Sequence, residues 1–236
     1  MRNTTLWIIF FIHHHFFEMV SLLDSVHEHL TPAFVNETAQ WLGENDNATA
    51  KALGAWSATI LAGTLHYAGH DKAINRIYNH LGLFPPDIME KPEALLRRGN
   101  LAQNDPKDVA GHLMGQLFGP KIDVLTNSIA AFSGLNPKSV SELLGITAPI
   151  VLSILGKRVQ ASALTVAGLT NTLRADQERI LGAVPSGLGV VLGLHAAPAS
   201  APGPEPATGM RWLLPLLLLL VLGGGLMALL RGCSAP

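Results

Sequence analysis

Apolar residues follow two different patterns along this chain. As far as about residue 195 they recur every three or four positions among polar ones, the period of an amphipathic helix. From Trp212 to Leu230 they form a run without charge, bracketed by Arg211 and Arg231. An amphipathic pattern opens at Met19 with "MVSLLDSVHEHL". Phe34, Val35, Thr38, Trp41 and Leu42 then share one helical face, in a helix that Thr31 caps, Pro32 begins and Gly43 ends. Asn136 and Pro137 open another helix in the same manner. It contains Leu143, Leu144, Ile146, Ile150, Val151, Leu152, Ile154 and Leu155 and is apolar nearly all round, with a kink predicted at Pro149.

These two regions read as one unit used twice. "FVNETAQWLGENDNATAKALGAWSATILAGTL" at 34–65 runs parallel to "LTNSIAAFSGLNPKSVSELLGITAPIVLSILG" at 125–156, an offset of 91 residues. The offset pairs Trp41 with Phe132, Gly43 with Gly134, Asn45 with Asn136 and Gly54 with Gly145. The expected fold is therefore all-α: a multihelical domain over 19–195 made of two related halves, 19–83 and 109–195. A charged connector at 84–108 carries one helix. After the second unit, "LTVAGLTNTLRADQERIL" and "GAVPSGLGVVLGL" read as a short helix pair split by Pro185 and Gly187. The apolar stretches Leu53–Leu65 and Leu143–Leu155 fall short of the roughly 20 residues a membrane span needs, so they are expected as buried central helices. Gly54, Ala58 and Ala62 would let a neighbouring helix approach closely, in a core or in a bilayer.

The chain beyond 195 has a different character. Residues 196–210 are a linker rich in Pro and Ala, residues 211–231 read as a transmembrane helix, and 232–236 form a tail. The uncharged run is about 28 Å long as a helix, close to the roughly 30 Å hydrocarbon core of a bilayer. Arg211, Trp212, Leu216, Leu220, Gly224, Leu230 and Arg231 mark the anchor, with Trp212 at the interface. The glycines around Gly224 offer a smooth face for another protein or a second copy. Residues 1–18 contain "LWIIFFIHHHFF", which resembles a signal sequence but is broken by His13 to His15 and lacks a small-residue cleavage site. They are expected to be an extension, and a non-native start, to a working protein that begins near Met19. Arg211 and Arg231 balance across the span, so charge does not set its orientation. With no convincing export signal, the helical domain is expected on the cytoplasmic side of a membrane, held there by a single C-terminal pass.

Composition narrows the function classes. Sixteen basic against 17 acidic residues leave a net charge of -1, which provides no field for a nucleic-acid partner. The lone cysteine, Cys233, excludes an intramolecular disulfide and a cysteine-based zinc site. "ILGKRV" lacks the first glycine and the Ser/Thr of a phosphate loop, "PSGLG" is not a nucleophile elbow, and no HExxH motif occurs. The one pair with ligand spacing is His66 and His70, four apart on a predicted helix, with Asp71 adjacent and His80 beyond. Two ligands do not complete a zinc site, and Gly69 falls where that helix could end. His27 and His29 point apart, and Arg97 with Arg98 reads as a solvated helix end rather than a phosphate contact. Asn3, Asn36 and Asn47 lie in glycosylation sequons that matter only in a eukaryotic secretory compartment. No catalytic residues and no cofactor are expected. The pattern favours a non-enzymatic, membrane-anchored interaction or scaffold module with the lipid bilayer as its constant partner. A metal-dependent enzyme using His66 and His70, or a membrane-inserting helical protein, are the alternatives.

Several blocks resemble a known family. "LLDSVHEHLTPAFVNETAQWLGENDNATAKALG", "GQLFGPKIDVLTNSIAAFSGLNPKSVSELLGITAPIVLSILGK", "ILGAVPSGLGVVLGL" and the Pro/Ala linker into "RWLLPLLLLL" are similar to the bacterial family called domain of unknown function 937, of the YidB-like group. The resemblance spans about 19–231 and rests on pattern and order. It implies a multihelical fold and a bacterial source, and it implies no activity. Some members continue into an OmpA-like peptidoglycan-binding domain. No such domain is present in this sequence, so cell-wall binding is not carried over.

Overall fold

The computed structural model describes residues 21–84, 87–97 and 105–193. The chain divides after Ala196, and every described helix belongs to the first of the two parts. Among the described residues the secondary structure is helical throughout, as the periodicity predicts. The order is α1 (Leu22–His29), α2 (Pro32–Leu42), α3 (Asp46–Tyr67), α4 (Asp71–Leu81), α5 (Asp87–Glu90), α6 (Ala94–Arg97), α7 (Pro106–Phe118), α8 (Lys121–Ser133), α9 (Pro137–Ala161), α10 (Val166–Ala175), α11 (Gln177–Ala183) and α12 (Leu188–Leu192).

The helix boundaries follow from side chains that satisfy terminal backbone groups. Thr31 Oγ1 accepts from Phe34 N–H at 3.2 Å, and Asn45 and Asn136 accept from Ala48 and Ser139 N–H at 2.8 and 2.9 Å. Pro32, Pro106 and Pro137 occupy first helical turns, where a missing N–H costs nothing. Helices α2 and α8 both end on a left-handed glycine, Gly43 at φ 71° and Gly134 at φ 85°. Glu44, in the turn after α2, also accepts from Asn136 Nδ2 and from Ser139 Oγ at 2.7 Å, which ties that turn to the start of α9.

Helices α3 and α9 form the centre. Each is buried along most of its length, and each packs against the other more extensively than against any other helix. Their apolar character all round is what a helix enclosed on every side requires. Trp56 is fully buried between them and donates from Nε1 to the Val140 carbonyl at 2.9 Å. Helices α1, α5, α7 and α8 pack on α9, while α2, α8, α10 and α11 pack on α3. Tyr78 Oη donates to the Leu164 carbonyl at 2.8 Å and holds α4 against the turn before α10. Helix α9 runs on through Pro149, which removes one bond from its ladder without ending it.

Three expectations about elements need correction. Among its described residues the connector at 84–108 carries two short helices and the start of a third instead of one, the third because Asp105 caps α7 through Lys107 N–H at 2.8 Å and Pro106 begins it. "LTVAGLTNTLRADQERIL" is two helices, since Asp176 ends α10 and its carboxylate accepts the Leu22 N–H of distant α1. Trp41, expected on one face of α2 with Phe34, Val35, Thr38 and Leu42, is exposed. The buried stripe of α2 runs through Phe34, Val35, Thr38 and Ala39, and Trp41 lies beyond its edge.

Candidate functional site

The histidine pair picked out by its spacing is built from a break, not from one helical face. Helix α3 ends at Tyr67 with Ala68 as its C-cap, and His70 stands in extended backbone, φ −122° and ψ 96°, just before α4. The turn nevertheless keeps the rings together. The His66 and His70 centroids are 5.9 Å apart, and the Tyr67 ring lies 5.3 Å from His66 and 6.2 Å from His70. Tyr67 is held by a hydrogen bond from its hydroxyl to the Leu117 carbonyl at 3.1 Å. Both histidines are exposed. Partial burial of the His66 ring, followed by the charges of His70 and Lys121, lowers its pKa from 6.5.

Around His66 is an open cavity of about 280 Å³, lined also by Leu65, Gly69, Arg174, Gln177, Leu181 and Gly193. No carboxylate lines it, so a divalent cation in this cavity would face Arg174 without a compensating acid. Among the described residues, no three or more His, Cys, Asp and Glu side chains gather into a metal-holding group.

Two exposed aromatic rings stand at matching places. Trp41 is 44% and Phe132 51% exposed, each two residues before the left-handed glycine that ends its helix. The Lys107 ammonium lies 5.8 Å from the Trp41 ring centroid, within cation–π range. Leu83, Val124 and Val190 are the other large apolar side chains open to solvent among the described residues.

A second cavity, of about 230 Å³, was not legible from spacing. It is lined by His29 of α1, Phe84 after α4, Met89 and Glu90 of α5, and Ser153, Lys157 and Gln160 of α9. The last three recur at helical spacing and so could have been grouped, but no pattern in the sequence places α1 and α5 beside them. Phe84 and Met89 are buried and form its apolar wall. The His29 ring is fixed by its Nδ1–H, which donates to the Ser25 carbonyl at 2.8 Å and leaves Nε2 of the neutral ring as an acceptor. Ser153 is 3% exposed, and its hydroxyl has no hydrogen-bond partner.

The anchor residues Arg211, Trp212, Leu216, Leu220, Gly224, Leu230 and Arg231 lie outside the described residues, as do His13 to His15, the Arg97 side chain and Arg98. No curated protein and no solved structure matches the chain. One family model does, over residues 24–158, more than half of the chain; it is described as "Bacterial protein of unknown function (DUF937)".

Proposed function

The chain belongs to this bacterial family, and from that membership and the fold we propose that it is a non-enzymatic, membrane-anchored helical interaction module of the bacterial envelope. The supporting observation is where the apolar surface goes. Helix α9 is long and apolar enough to cross a bilayer, yet it stands mid-chain and 78% of its most apolar window is buried inside the helical domain. That hydrophobicity is used by the core, which leaves the uncharged run from Trp212 to Leu230 as the segment for the bilayer. The exposed Trp41 and Phe132 fit the interaction role, because large aromatics left in water are enriched where proteins meet.

The domain then works from the cytoplasmic face on a Pro/Ala leash, about 3.1 Å per residue where extended. The full chain should stay in the membrane pellet on carbonate extraction, and protease should cut the helical domain in inverted vesicles but not in intact spheroplasts. Release by carbonate would remove the anchor. Cleavage in spheroplasts would turn the domain to the other face. Self-association is assigned to the smooth face around Gly224, so Gly224→Ile should reduce the dimer fraction in detergent micelles.

A further inference from the structure

We propose that the cavity between α1, α5 and α9 binds a small zwitterion with an apolar side chain, of the chemical class of an apolar α-amino acid. The inference stands apart from membrane anchoring, since every residue it uses belongs to the helical domain. The cavity's volume of about 230 Å³ suits a molecule of roughly eight to twelve non-hydrogen atoms.

Ser153 lines the cavity with an unpartnered hydroxyl. Three buried hydroxyls on the central helices bond back to the carbonyl four residues earlier: Ser57 to Leu53 at 2.8 Å, Thr64 to Ile60 at 2.9 Å and Thr147 to Leu143 at 2.7 Å. Ser153 makes no such bond. A buried hydroxyl without a partner is unfavourable in the free protein, and a ligand atom that meets it relieves the penalty. Thr49 and Thr59 are also unpartnered, but neither lines this cavity.

The cavity wall also carries both signs of charge. Glu90 and Lys157 line the same small cavity and are not ion-paired with each other. A simple anion would leave Glu90 opposed and a simple cation would leave Lys157 opposed, whereas a zwitterion satisfies both. In the resulting arrangement Lys157 and the Gln160 amide take the carboxylate. Glu90 and the His29 Nε2 acceptor take the ammonium. The ligand's apolar side chain lies against Phe84 and Met89, and the Ser153 hydroxyl gains a polar partner.

Isothermal titration of the full chain in detergent with leucine, methionine and phenylalanine tests this, alongside N-acetyl-leucine and leucinamide, which each lack one charge. At least one amino acid should bind, and each blocked derivative should bind about tenfold more weakly or worse. Lys157→Gln and Glu90→Gln change exposed residues and should each weaken binding to a similar degree. Ser153→Ala should leave the melting temperature of the free protein unchanged or raised, because no bond is lost, while ligand affinity falls. No binding by any of the three amino acids would overturn the proposal. So would blocked derivatives that bind as well as their parents, or Lys157→Gln and Glu90→Gln proteins with unaltered affinity.

Discussion

Gly156 is where α9 passes the end of α4, and a side chain there has nowhere to go. A Cβ would lie 2.8 Å from the Leu81 carbonyl oxygen, a backbone atom that can move only with its helix. At Gly63 of α3 a Cβ would lie 2.5 Å from the Phe118 ring. Gly156→Ala and Gly63→Ala should therefore each lower the unfolding free energy by about 1–3 kcal/mol in urea denaturation. Gly54, in the same helix as Gly63, meets nothing within 4 Å, so Gly54→Ala should raise it by about 0.5–1 kcal/mol. Equal effects at all three positions would refute the packing explanation. The His66 ring offers a second test at this scale. Its folded pKa lies below 6.5, so the unfolded chain binds that proton more readily. The associated stability is present above pH 6.5 and is lost as pH falls through the folded pKa. Lys121→Gln should move the His66 NMR titration midpoint upward, and an unchanged midpoint would remove Lys121 as a cause. Gly43 and Gly134 were legible because a left-handed helix end is a local event. Gly63 and Gly156 were not, since the groups that crowd them come from other helices.

Among the elements, the starts of α3 and α9 were the most legible features, because an Asn cap is satisfied within its own turn. Their energetics should nonetheless differ. Asn45→Ala loses one capping bond and should cost about 1 kcal/mol. Asn136→Ala also loses the donor that meets Glu44, and should cost more, about 2 kcal/mol, with part of the excess disappearing in a Glu44→Gln background. A strictly additive double-mutant cycle would deny that coupling. The break at Asp176 escaped sequence reasoning for the opposite reason. An Asp between two helical stretches is unremarkable until its carboxylate meets the Leu22 N–H far along the chain. Likewise, helical spacing placed Trp41 with the apolar residues of α2, but only the position of α3 defines how wide the covered stripe is.

For the whole molecule, the question is what the apolar helices are for. Leu53–Leu65 and Leu143–Leu155 are enclosed by neighbouring helices, so exposing them to lipid would require unfolding the domain. The chain should therefore cause no dye leakage from preformed liposomes under conditions where it remains folded. Leakage there would revive membrane insertion through α3 and α9. The all-α class, the central place of these two helices and the turn chemistry between α2 and α3 and between α8 and α9 all follow from composition and local periodicity. Those depend on interactions within a few residues of each other, and such interactions can be read along a chain. The meeting of His29, Glu90, Ser153 and Lys157 around one cavity cannot be read in that way. Neither can the surroundings of His66, where α8 brings Lys121 and α10 brings Arg174 beside the end of α3. Both sites are made by contacts distant in sequence, and those exist only once the helices have packed.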